Sequence, residues 1–71
     1  MKPDNIAINQ ILHIVTLQPG CRIEHVADLL PHLTLREVVY TLNYLGRKGQ
    51  LELIVDRKGI FGVMPTLQLF N

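Results

Sequence analysis

Residues 34–49 read TLREVVYTLNYLGRKG, and the way this stretch folds decides how the chain folds. Thr34 followed by Glu37 is the T-x-x-E pattern of a capping box. A hydroxyl accepts from the amide three residues on, and the glutamate reaches back to the first amide. Gly49 stands where helices commonly close at positive φ, and Arg47 and Lys48 occupy the last turn, where cations offset the helix dipole. A helix over about residues 35–48 follows. At about 100° per residue, Tyr40, Asn43 and Arg47 fall within about 40° of Arg36. Val38, Leu42 and Leu45 lie opposite, with Leu35 and Val39 on the flanks. The same helix therefore carries a packing side and a polar row.

The residues before it supply two more helices. Ile23, Val26, Ala27 and Leu30 follow i, i+3, i+4, i+7 spacing, which predicts a short second helix over 24–30, ended by Pro31. Ahead of it, Cys21-Arg22-Ile23 is a short extended piece, and Gln18-Pro19-Gly20 is a helix stop. A first helix over 5–17 follows from Asp4 as its cap and from Ile6, Ile8, Ile11, Leu12, Ile14, Val15 and Leu17, an apolar set broad enough to be buried on more than one side.

After Gly49 the period changes. QLELIV (50–55) and IFGVM (60–64) are β-prone runs separated by Asp56-Arg57-Lys58-Gly59, a turn with glycine at its end, so an antiparallel hairpin spans about 50–64. Pro65 closes the second strand. The tail 65–71 is apolar at Leu67, Leu69 and Phe70, and either pairs as an edge strand or docks on a neighbour. The expected organisation is one α+β domain over 1–71, three helices followed by a hairpin.

Composition bounds what such a domain does. With 71 residues and one cysteine the chain has no internal disulfide, and it has no CxxC or Cys/His ligand set for zinc, so neither metal nor cofactor is expected. His13, Cys21, His25 and His32 read as packing or surface residues. No apolar run reaches the length of a membrane span, and MKPDNIAINQ is polar where a signal peptide is apolar, which points to a soluble, unprocessed, cytoplasmic protein without a membrane partner. Seven Lys/Arg against six Asp/Glu leave a formal charge of +1, so attraction to phosphate has to come from local patterning. The hydrophobic fraction is 48% and the charged fraction 18%, more apolar surface than so small a chain hides, and part of it is expected in a homodimer or partner interface. There is no P-loop, GxGxxG, GxSxG or paired-carboxylate arrangement, and catalysis is not expected.

The segment RIEHVADLLPHLTLREVVYTLNYLGRKGQLELIVDRKGIFGVM resembles the winged helix-turn-helix family. A short helix with a central alanine, Ala27, precedes a capped third helix. The Leu42, Leu45, Gly49, Leu51 pattern follows, and then a hairpin with a basic, glycine-containing tip. The similarity covers about residues 6–64. In size the chain is similar to the small bacterial regulators of pilus operons, the FaeA/PapI-like group, and to the FeoC-like domain, whose cysteine cluster it lacks. The resemblance implies a transcription regulator that binds double-stranded DNA, with the third helix in the major groove and the hairpin as a wing against the minor groove or adjacent phosphates.

On that reading Arg36, Tyr40, Asn43 and Arg47 are the base-reading candidates. Arginine donates two bonds to a guanine edge, asparagine pairs with adenine, and tyrosine reaches a phosphate or a thymine methyl. Lys48 beside the row, Arg57 and Lys58 at the hairpin tip, and Arg22 at the entrance to the second helix are phosphate-contact candidates. Asp56 and Glu24 oppose the last two groups, and His25 is expected on the exposed side of the second helix. The alternatives are a solvated helix face, an ordinary polar turn, and a winged-helix protein-interaction module or regulatory subunit that docks through the first helix and the apolar tail without specific DNA binding.

Overall fold

The computed structural model describes residues 3–66, with the backbone alone at Asp56, Ile60 and Phe61. The elements are α1 (Asn5–Leu17), α2 (Ile23–Leu29), α3 (Leu35–Arg47), β1 (Leu51–Asp56) and β2 (Gly59–Pro65), an α+β layout in which three helices precede a two-stranded antiparallel sheet. The expected tail contacts of Leu67, Leu69 and Phe70 lie outside the described residues.

α1 has the expected bounds, but two details differ. Asp4 occupies the N-cap without a side-chain cap bond; its exposed carboxylate is left to solvent, and the helix begins through its carbonyl, which accepts from Ile8 N at 3.0 Å. The helix is also buried on a single wide arc rather than on more than one side. Ala7, Ile11, Ile14 and Val15 are buried and Ile8 and Leu12 pack beside them, whereas Ile6 and Leu17 remain 63% and 66% exposed. The two exposed residues project away from α2, α3 and β2, the elements on which α1 packs.

Ile23 opens α2 instead of ending an extended piece, which shrinks to Cys21-Arg22. Arg22 is the extended N-cap residue, and its carbonyl accepts from Val26 N at 3.2 Å. Cys21 forms an antiparallel bridge to Val63, with Gly20 N donating to Val63 O at 2.8 Å and Val63 N to Cys21 O at 2.9 Å. β2 is thus hydrogen-bonded on one side to β1 and on the other to the link between α1 and α2, which ties the sheet to the helices.

α3 has both of its expected terminal devices. Thr34 Oγ1 accepts from Glu37 N at 3.1 Å while Glu37 Oε1 accepts from Thr34 N at 2.8 Å, completing the capping box. At the other end Gly49 (φ 77°) donates to Gly46 O at 3.1 Å, and Gln50 N donates to Leu45 O at 2.9 Å. This is the Schellman pair of bonds, which satisfies two terminal carbonyls and needs a residue at ease with positive φ.

The hairpin register runs from Leu51 opposite Pro65 to Asp56 opposite Gly59, with an irregularity between Ile54 and Val55 that leaves Phe61 as the extra residue. Arg57 and Lys58 form the tip, as expected. Beneath it, Ile11 and Val15 of α1, Val26 of α2, Val38, Leu42 and Leu45 of α3 and Val63 of β2 make the fully buried centre. Every element except β1 places a side chain there, and Leu51 of β1, 3% exposed, borders it.

Candidate functional site

The division of α3 expected from the sequence holds in its packing. Val38, Leu42 and Leu45 are fully buried, whereas Arg36 and Arg47 are exposed, Tyr40 is 40% exposed and Asn43 half-buried. Thr41 joins the packing side: it is 2% exposed, and its hydroxyl donates to Glu37 O at 2.8 Å. The core therefore fixes the rotation of α3, and that rotation turns the row from Arg36 to Arg47 outward. At 1.5 Å per residue the row extends about 16 Å along the helix.

The row has two halves with different surroundings. Asn43 and Arg47 line a shallow depression of ≈ 680 Å³ with Gly46, Leu51, Glu52 and Leu53, between the end of α3 and β1. Gly46 faces Leu53 there, and a Cβ built on it would stand at ordinary contact distance, 3.4 Å, from Leu53 Cδ1. Arg36 and Tyr40 stand outside this depression, toward the start of the helix. Glu37, which follows Arg36, is held in the capping box, so the one carboxylate of the first turn is directed to the Thr34 amide.

Glu52 was not among the residues expected at the site. The alternation of buried Leu51, exposed Glu52 and half-buried Leu53 along β1 is the signal that identifies it, provided the strand's position against α3 is known. Its carboxylate lowers the positive potential beside Arg47 and offers an acceptor to a partner's amino group.

The remaining candidates are dispersed. Lys48, the C-cap residue, lies over the Tyr44 ring with Nζ 5.6 Å from the centroid, a cation–π arrangement to one side of the row. Arg57 and Lys58 are exposed at the hairpin tip, and Arg22 is exposed at the start of α2, where its side chain makes no cap bond. His25 departs from expectation. It is half-buried, and its Nε2 is enclosed without a hydrogen-bond partner among the described residues, because α2 packs on both α3 and β2 and leaves less of its surface free than its short amphipathic pattern implied.

The histidines and the cysteine are separated as well. His13 is exposed on α1, and His32 Nε2 lies 3.1 Å from Gln10 Oε1, joining the α2–α3 turn to α1. Burial raises the Cys21 thiol above its ordinary value, partly offset by a backbone hydrogen bond. Among the described residues no three His, Cys, Asp or Glu side chains come together as metal ligands, and no helix is long and apolar enough to cross a membrane. No protein-family model, curated protein or solved structure matches the chain.

Proposed function

We propose that the chain is a winged helix-turn-helix DNA-binding regulator, with α3 as the recognition helix and the β1–β2 hairpin as the wing. The observation that carries this reading is the outward row of Arg36, Tyr40, Asn43 and Arg47 on a helix whose opposite side is locked into the core. A rigidly held helix with arginine and asparagine facing out supplies donors and acceptors suited to base edges in the major groove. The exposed Arg57-Lys58 tip adds charge for phosphates beyond the groove.

A dimer fits this function, since one module of this size offers limited contact area to a duplex. Selection of bound sequences from a random duplex pool by the purified protein, at stated salt, tests the proposal. Enrichment of a defined sequence is the expected outcome, and equal retention of random and selected duplexes counts against specific reading.

A second reading, a protein-interaction module, is favoured by one observation. Ile6 and Leu17, both more than 60% exposed, lie about 20° apart around α1 and so share its outer face. If that face is an interface, Leu17→Asp dissociates a complex on a sizing column without loss of helical signal. A chain that elutes as a monomer with or without the substitution excludes self-association through it.

A further inference from the structure

Leu35 is the first residue of α3 and is 56% exposed, against 40% for Tyr40, the other exposed large hydrophobic among the described residues of that helix. A flank position of the packing side predicts partial burial, but Leu35 stands at the surface in the capped first turn, next to the exposed Arg36. Single exposed leucines are common on protein surfaces. This one occupies a particular place, because the N-terminal residues of a recognition helix are those that meet base edges.

The chemistry of the pair is complementary to one kind of base-pair step. Arg36 offers a planar fork that matches O6 and N7 of guanine, and Glu37 does not compete for it, since its carboxylate accepts from the Thr34 amide at 2.8 Å. In the major groove the apolar feature that a base pair presents is the pyrimidine 5-methyl group. Leu35 projects about 100° from Arg36 around the helix, so the two can meet neighbouring base pairs, about 3.4 Å apart along the duplex, where the N-terminal end of the helix itself enters the groove.

We infer that Leu35 and Arg36 together read a guanine flanked by a pyrimidine that carries a 5-methyl group, with Leu35 covering the methyl. This rests on the DNA-binding reading and deepens it. The methyl belongs either to thymine or to 5-methylcytosine, and both present it at the same place in the groove.

The experiment starts from the best duplex obtained by selection and replaces each thymine in turn by uracil, which removes the methyl and keeps the pairing. For the wild-type protein, one such replacement beside a guanine weakens Kd about four-fold, the equivalent of one methyl-sized group left unburied. Leu35→Ala binds the thymine duplex about as weakly and no longer distinguishes uracil from thymine. Placing cytosine or 5-methylcytosine opposite guanine at that position separates the sources: tighter binding of the methylated duplex assigns both, and equal binding assigns thymine alone. Specific binding that is indifferent to every uracil replacement overturns the inference and leaves the DNA reading standing, as does a uracil penalty of the same size in Leu35→Ala. Failure to retain any duplex above the random pool overturns the DNA reading and the inference with it.

Discussion

Thr34 and Glu37 each satisfy an amide that the start of α3 would otherwise leave without a partner, at 3.1 and 2.8 Å. Both bonds are local, and for that reason they were readable from four residues of sequence. Thr34→Ala removes one of them and is expected to cost about 1 kcal/mol, lowering the melting temperature by about 4–8 °C for a domain of this size. Thr34→Ser retains the acceptor and most of the stability. Arg36→Ala, exposed and outside the core, leaves the melting temperature nearly unchanged; thermal melts of the three variants followed by circular dichroism make the comparison. Cys21 gives a second prediction at this scale. Burial raises its thiol above the ordinary value of 9.0, so the folded chain disfavours the thiolate that the unfolded chain forms readily. The stability this contributes is fully present below pH 9.0 and is lost as pH rises through the raised folded value. Alkylation by iodoacetamide should therefore be slower in the folded protein than in urea at the same pH, and equal rates would show that the thiol is not shielded.

Among the elements, α1 and α3 were legible because amphipathic periodicity and terminal residues act within one or two turns. The start of α2 was not. Ile23 belongs to the helix because Cys21, two residues earlier, pairs with Val63, a contact across more than forty residues of chain that no local pattern announces. The half-burial of His25 was hidden for a similar reason: it depends on α2 meeting α3 and β2 together. The hairpin was legible from its two β-prone runs and the glycine after the tip, but its irregularity at Ile54/Val55 and its second partner were not. That second partner makes Gly62 a sensitive position. It is buried, and a Cβ there would stand 3.3 Å from Ile54 Cδ1, which must give way by a few tenths of an ångström, while Gly20 O at 3.4 Å leaves no spare room on the other side. Gly62→Ala is expected to destabilise by about 1–3 kcal/mol. The effect should appear first as faster hydrogen exchange at the Gly20 and Val63 amides, whose bonds span the junction between sheet and helices. Unchanged exchange at both would mean that the junction absorbs the methyl group without opening.

For the whole molecule, one small core supports every surface that function requires. A chain of 71 residues has a total stability of about 4–11 kcal/mol at the usual range per residue. Leu42 is fully buried at its centre, and Leu42→Ala should cost about 2–5 kcal/mol, enough to leave a substantial unfolded population at 37 °C in a urea or thermal titration. The candidate interface was legible as a row of residue types on α3, and the contact of Lys48 with Tyr44 is a local i, i+4 pair, whereas Glu52 in the same depression as Arg47 emerged only from tertiary packing. Glu52 lessens the positive charge at the row, in a chain whose formal net charge is only +1. If the chain binds DNA, then, long-range attraction contributes little, and affinity comes from a few local contacts that separate by role. On the DNA-binding reading, Arg57 and Lys58 at the tip of the hairpin, away from α3, would act on phosphates. Replacing both by alanine should reduce the slope of log K against log salt by about 1.8, at about 0.9 for each phosphate that is no longer neutralised, while the selected sequence remains the preferred one. Arg36→Ala should do the reverse, lowering the preference for the selected sequence by about 1–3 kcal/mol with a nearly unchanged salt slope. Titrations of wild type and both variants on selected and random duplexes at several salt concentrations decide it. If both variants change slope and preference together, the helix and the hairpin do not divide the work, and the row on α3 is a charged surface rather than a reader.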